Sequence, residues 1–266
     1  MPREEKSDRY YDSVQRHRAV EKLVTRINSE GQQERKYYRI RTARWYGGIV
    51  TADCAGCGLL CKFCWVKDNV MSHPAGSGKF YTPRRIAEEM LSLARKRRLN
   101  QLRVSGGEPT LGKQHLLQLL HSIEGYGYTF ILETNGIPIA ADETYAKDLS
   151  SYHDFIHVRV SLKGCDGEEF SVLTGAKPED FRLQIRALED LRRAGVGCHA
   201  SVMSSFSTQD SFNALIGELK EIDPKLAQNT EVEELILYPH VVRRLKKHGL
   251  AYNIAHRPDQ VPPEQI

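Results

Sequence analysis

Cys57-Gly58-Leu59-Leu60-Cys61-Lys62-Phe63-Cys64 sets three cysteines in the spacing C-x3-C-x2-C. Three thiolates so spaced can hold three corners of a four-iron cluster and leave the fourth iron without a protein ligand. That open iron can bind a small molecule and pass it an electron. Phe63 adds an aromatic directly before the last cysteine. Cys54 extends the run to C-x2-C-x3-C-x2-C, and four cysteines could instead hold a structural zinc. Zinc sites usually separate two close pairs by a longer loop or hairpin, whereas these pairs are nearly contiguous. The cluster reading therefore leads, and Cys54 is left as a buried small hydrophobe.

The chain around this stretch has 266 residues, enough for one large α/β domain or two small ones. Its 40% hydrophobic and 27% charged residues are those of an ordinary globular protein. No apolar run is long enough to span a bilayer, so no membrane partner is expected. The charged start, Met1 to Arg9, lacks the apolar core of a signal peptide. A cytoplasmic location is the expectation, because thiols stay reduced there and can hold iron. Net charge is +4. Basic residues gather at Arg35, Lys36, Arg39, Arg41 and Arg44, at Arg95 to Arg98, and at Arg243, Arg244, Lys246 and Lys247. Taken singly these read as solvated helix faces and ends; together they could form one face for an acidic partner.

A helical pattern runs over residues 8–30 and stops at Gly31, with Gln32 to Arg35 as linker. Tyr37 to Trp45 is extended and aromatic. From residue 47 the chain alternates. Strands are expected at Gly48–Asp53, Gln101–Ser105, Tyr128–Leu132, Phe155–Leu162, Gly197–Met203 and Val232–Tyr238. Helices are expected from Thr82-Pro83 to about Arg98, Leu111–Ile123, Ile139–Leu149, Pro178–Ala194 and Ser207–Ile222. Residues 66–81 read as a polar loop beside the cysteines. Six strands alternating with helices predict a parallel sheet with right-handed crossovers, as an open sheet or a barrel. The chemistry-bearing residues fall just after strands: the cysteines after the first, Gly106-Gly107-Glu108-Pro109 after the second, Glu133-Thr134-Asn135-Gly136 after the third. Ser161-Leu162-Lys163 ends the fourth, Ser201 to Ser205 the fifth, and Tyr238-Pro239-His240 the sixth.

C-x3-C-x-aromatic-C, followed one strand later by GGE, resembles the radical S-adenosylmethionine (radical SAM) enzymes. ETNG resembles the subset around pyruvate formate-lyase activating enzyme. Ser161-Leu162-Lys163 lies where that subset carries Asp-x-Lys, with serine in place of the aspartate. Tyr238-Pro239-His240 resembles its Leu-Pro-Tyr-His segment with tyrosine and proline rearranged. The resemblance covers roughly residues 46–240. It implies an α/β fold built on a partial (β/α)6 TIM-like barrel with an N-terminal extension. The expected parts are 1–45, a helical and extended extension; 46–240, the barrel; and 241–266, a C-terminal helix and tail.

The resemblance further implies that Cys57, Cys61 and Cys64 hold a 4Fe–4S cluster whose open iron chelates the amino and carboxylate groups of S-adenosylmethionine. One electron from a low-potential donor of flavodoxin or ferredoxin type would break a carbon–sulfur bond and give a 5′-deoxyadenosyl radical. That radical would take a hydrogen atom from the substrate. Gly106, Gly107, Glu108 and Pro109 are expected to receive the cofactor's ammonium; Phe63, Thr134, Asn135, Ser161, Lys163 and Ser201 to line its site; and His240 to lie against its adenine. A protein or peptide substrate leads. RNA, suggested by the basic clusters and the aromatic N-terminal segment, and a small metabolite or nucleotide are the alternatives, and a non-enzymatic zinc-binding module ranks last.

Overall fold

The computed structural model describes residues 10–265. Helix α1 (Ser13–Val24) is capped by Asp12, whose carboxylate accepts the Gln15 N–H. It ends earlier than the helix expected over 8–30, whose first two residues lie outside the described residues. Strand β1 (Thr25–Ile27) follows and pairs antiparallel with β2 (Gln33–Ala43). Asn28 makes the turn between them: its Oδ1 accepts the N–H groups of Glu30 and Gln32. The reading of Gln32–Arg35 as linker is thereby corrected. From Gln33 the chain is strand, hydrogen-bonded on both sides, and Glu34, Arg35 and Lys36 are buried.

Strand β3 (Ile49–Cys54) runs antiparallel to β2 and leads into the cysteine loop. Residues 66–81 are more ordered than a polar loop, holding α2 (Asp68–Ser72) and β4 (Lys79–Tyr81), which pairs with β2. Next come α3 (Pro83–Arg97), capped by Thr82, then β5 (Gln101–Gly106), α4 (Lys113–Ile123) and β6 (Thr129–Thr134). The single helix expected over 139–149 is two, α5 (Ile137–Ala140) and α6 (Tyr145–Ser150). Asp142 interrupts it, its Oδ1 accepting both the N–H and the hydroxyl of Thr144. The chain continues through β7 (Ile156–Leu162), α7 (Gly167–Thr174), α8 (Phe181–Arg193), β8 (Cys198–Met203), α9 (Gln209–Ile222) and α10 (Pro224–Gln228).

The expected last strand, 232–238, is also broken. β9 (Glu231–Glu233) joins the main sheet, whereas β10 (Leu235–Ile236) pairs with β11 (Ala255–His256) beyond α11 (Pro239–His248). The Leu235 N–H turns to the Ser205 hydroxyl at 2.8 Å, which peels the chain off β8.

β3, β5, β6, β7, β8 and β9 lie side by side and parallel, each next to its successor. The strand path ends at β1 and β9 rather than returning on itself, so the barrel is partial. One face is apolar, with Val50, Ala52, Leu102, Val104, Phe130, Leu132, Val158, Val160, Ala200 and Val202 buried in the main core beneath the helices. The other face is polar. Register sets Glu133 opposite Arg159 and Arg159 opposite His199; one row on, Ser161, Ser201 and Glu231 are opposite one another. Burying two faces of unlike chemistry makes these strands alternate in sequence.

Candidate active site

The cysteine loop leaves β3 at the carboxyl edge of the parallel strands, where such folds keep their chemistry. Cys54 is still strand, fully buried, and its thiol donates to the Ser105 carbonyl at 3.2 Å. Past it the loop is held by main-chain bonds from the Cys64 N–H to the Cys61 carbonyl (3.1 Å) and from the Lys62 N–H to the Leu173 carbonyl (2.9 Å). The sulfur of Cys57 accepts the Leu59 N–H at 3.4 Å and the Asn135 amide at 3.6 Å. Burial pushes the Cys57 thiol well above its ordinary pKa and Cys61 up to about 12, with Lys163 nearby pulling Cys61 back. A metal bound by these sulfurs would have to displace their protons. Phe63 is buried against Phe206, ring centroids 5.4 Å apart.

Gly107 welds the second turn to this loop. Its N–H reaches the Cys54 carbonyl at 2.8 Å, and the Glu108 N–H reaches the Gly56 carbonyl at 2.7 Å. A Cβ on Gly107 would stand 2.2 Å from the Gly56 oxygen, so only glycine permits this approach. Glu108 itself turns inward and is 1% exposed. Its Oε1 accepts the N–H of Thr110 (3.0 Å) and the hydroxyls of Thr110 and Thr134 (both 2.6 Å), and its Oε2 accepts the Asn135 N–H (2.8 Å). The carboxylate expected to meet an ammonium is thus engaged with the protein's own donors. Pro109 continues the same turn.

Gln184 on α8 makes the corresponding tie one strand further on. Its amide donates to the Asn135 carbonyl (2.7 Å) and the Ser161 carbonyl (3.0 Å) and accepts the Lys163 N–H (3.1 Å). Lys163's ammonium donates to the Ser161 hydroxyl and lies 6.0 Å from the centre of the Phe63 ring. Ser161 in turn donates to Glu233 at 3.2 Å. Ser201 is fully buried, and its hydroxyl has no partner. His240 donates from Nε2 to the Trp65 carbonyl at 2.7 Å, its ring parallel to Tyr238 within 14°. The structure therefore brings every expected residue to the same edge of the sheet.

Several residues that the motifs did not reveal hold the loop. Arg244 on α11 donates to the carbonyls of Cys61, Cys64 and Val66 and pairs with Asp68. Tyr11 accepts the Leu60 N–H at 2.9 Å and donates to the Thr174 carbonyl. Below the mouth, Arg103 binds Glu133 at 2.8 Å and Arg159 grips Glu231 through two bonds. Burial pushes the Glu231 carboxyl up, but Arg159 and His199 outweigh it and hold the group well below the carboxylate range.

The basic residues do not form one face. Arg35 is buried and donates to four carbonyls, while Arg39 and Arg41 both pair with Asp53. Arg95 to Arg97 end α3, just before β5 begins, whereas Arg244 lies on the cysteine loop at the opposite end of the strands.

A family model described as the radical SAM superfamily matches residues 53–219. The chain belongs to the radical SAM superfamily. It is 28% identical over 125 residues to a protein of Methanocaldococcus jannaschii provisionally named a glycyl-radical enzyme activating enzyme, covering 47% of this chain and 43% of that one. It is 28% identical over 201 residues to a protein of Methanococcus aeolicus provisionally named GTP 3′,8-cyclase, covering 74% and 61%. Among solved structures, Streptococcus suis SuiB bound to precursor peptide SuiA matches with TM-score 0.57 and 17% identity, over 78% of this chain and 47% of that chain. The anSMEcpe structure with bound AdoMet and a peptide matches with TM-score 0.51 and 22% identity, over 72% and 50%. These structures share the fold. The chain spans about half the length of the relatives it matches.

Radical SAM enzymes use a four-iron, four-sulfur cluster together with S-adenosylmethionine, and the residues here suit both. The donor set is three thiols on one irregular loop, with N–H groups already turned to one sulfur, as second-sphere donors turn to cluster sulfurs. Among the described residues no three His, Cys, Asp or Glu side chains converge on one ion position, and a cluster does not ask for that, since each thiolate binds a different iron. The orphaned hydroxyl of Ser201 is a buried polar group that a ligand would satisfy. Among the described residues no helix is long and apolar enough to cross a membrane.

Proposed function

We propose that Cys57, Cys61 and Cys64 hold the cluster and that this radical SAM enzyme acts on a protein or peptide. When bound, the cluster and S-adenosylmethionine supply a 5′-deoxyadenosyl radical that removes a hydrogen atom from the substrate. The chain's own part is placement. The main-chain carbonyls of Gly106 and Gly107 are the acceptors for the ammonium, because the Glu108 side chain is engaged elsewhere. Ser161, Lys163 and Ser201 supply polar contacts from the next strands, and Tyr238 with His240 offers a flat aromatic pair to the adenine. The buried walls around the loop exclude water. The electron comes from a low-potential donor of flavodoxin or ferredoxin type.

The observation that carries the substrate class is the outer edge of β9, which among the described residues pairs with no further strand. There the Gln265 side chain accepts the Glu234 N–H at 3.3 Å and donates to the Val232 carbonyl at 3.2 Å, as the main chain of an added strand would. An extended peptide that replaced this one amide would lie along the edge, beside the polar face that ends at Lys163. The likeness to a named glycyl-radical enzyme activating enzyme supports a protein substrate. The longer match to a named GTP cyclase favours a second reading, a nucleotide. RNA gains less support, because the three basic segments do not share one face: Arg44 and Arg97 line one groove, whereas Arg244 lies on the cysteine loop at the other end of the strands.

The test is anaerobic. The chain is reconstituted with iron and sulfide, given S-adenosylmethionine and a strong reductant, and assayed for 5′-deoxyadenosine with peptide pools, GTP or tRNA. A rise with peptides alone supports the reading. A rise with GTP or tRNA alone overturns the substrate class, and a chain that binds one zinc and no cluster overturns the chemistry.

A further inference from the structure

Helix α1 lies outside the matched residues 53–219, yet His17 on it reaches the cysteine loop. The imidazole is 3% exposed. Its Nδ1 lies 2.7 Å from the Ser13 carbonyl, which has no proton to give, so Nδ1 carries the hydrogen. Nε2 of the neutral ring is then an acceptor, and the Asn135 side-chain nitrogen donates to it at 3.0 Å. Asn135 cannot flip, because its Oδ1 accepts the Ile137 N–H at 3.0 Å. The remaining N–H of that amide is aimed at the Cys57 sulfur at 3.6 Å. Gly58 closes over the ring: a Cβ there would stand 2.3 Å from His17 Cγ and Nδ1. The imidazole is therefore wedged beneath the loop that carries the cysteines.

We propose that His17 is a positioning residue for the iron–sulfur cluster, locking the Asn135 amide so that one N–H is held on the Cys57 sulfur. The inference rests on the cluster assigned to Cys57, Cys61 and Cys64. Hydrogen bonds to a cluster's sulfurs favour its more negative, reduced state and raise its potential. Without the His17 acceptor, Asn135 is free to rotate away and reduction becomes harder. Gln at position 17 places an amide oxygen where Nε2 stands and keeps the lock; Phe keeps the volume and loses the acceptor.

The experiment measures iron and sulfide content and the cluster's potential, by redox titration followed with electron paramagnetic resonance, without S-adenosylmethionine. It compares wild type, His17→Phe, His17→Gln, Asn135→Leu and the His17→Phe/Asn135→Leu double variant. The expected result is a negative shift in His17→Phe, about a tenfold change in the reduction equilibrium or 59 mV for one electron. His17→Gln should keep the wild-type potential, Asn135→Leu should shift like Phe, and the double variant should shift no further. A fully loaded His17→Phe cluster at the wild-type potential overturns the proposal, as does a Gln variant shifted as far as Phe. If His17→Phe does not fold, wild type labelled with nitrogen-15 asparagine decides: magnetic coupling of a side-chain nitrogen to the reduced cluster, lost in Asn135→Leu, supports the lock, and no coupling overturns it. A wild type that assembles no cluster overturns the cluster assignment instead, so the two failures are distinguishable.

Discussion

The carboxylate of Glu108 takes the main-chain N–H of Asn135 at 2.8 Å, joining the turn after β5 to the turn after β6. Its other oxygen binds Thr110 and Thr134. An acidic residue that in sequence reads as a ligand for an ammonium also sets, in the fold, the spacing between the two turns.

Glu108→Ala leaves four donors in a dry site without their acceptor, each costing about 1–3 kcal/mol. The cluster-free chain should melt many degrees lower or fail to fold. A residue that only bound the cofactor would leave that melting curve in place, so calorimetry of the apo chain separates the two roles.

Gly107→Ala should be equally damaging at a position where a methyl group looks harmless. The new Cβ would press on the Gly56 oxygen at 2.2 Å, and both partners are backbone. Lost soluble yield or a markedly lower melting temperature is expected; an unchanged melt would mean the two turns can separate.

Arg244→Met keeps the bulk of the side chain and removes its bonds to the carbonyls of Cys61, Cys64 and Val66. The barrel should still fold, because its sheet and core do not depend on this side chain. Iron retention should fall several-fold, and limited proteolysis should cut faster between residues 61 and 72.

His115 gives a pH signature. Burial lowers its pKa from 6.5 to about 3. It donates from Nδ1 to the Gln33 carbonyl and accepts from Tyr37 at Nε2, which fixes the neutral ring. The unfolded chain thus binds a proton that the folded chain refuses. Its contribution is complete above about pH 6.5 and is lost as pH falls toward 3, with a slope of about 1.4 kcal/mol per pH unit. Denaturant titrations across that range should flatten in His115→Gln.

The strand–helix alternation and the turns bearing Cys57, Gly107 and Asn135 were legible because each is a short-range pattern. Thr82 before Pro83, for example, marks the start of α3 by local chemistry alone. The break between β9 and β10 was not, because Val232 to Tyr238 is continuously strand-like and Ser205, thirty residues earlier, decides it. His17, Gln184 and Arg244 were invisible for the same reason. Arg244 acts on Cys61 across 183 positions and His17 on Asn135 across 118, and nothing beside them in sequence announces the partner. Glu108 was found, but its links to Thr134 and Asn135 were not legible, since those donors come from a turn 26 and 27 residues on.

From the two flanks of the barrel, Tyr11 just before α1 and Arg244 on α11 both hold the cysteine loop. During synthesis the thiols emerge from the ribosome long before Arg244 does. A nascent chain stalled after β8 has all three sulfurs but only half of the grip. The loop's two holds, Tyr11 just before α1 and Arg244 on α11, thus come together only once α11 has been made.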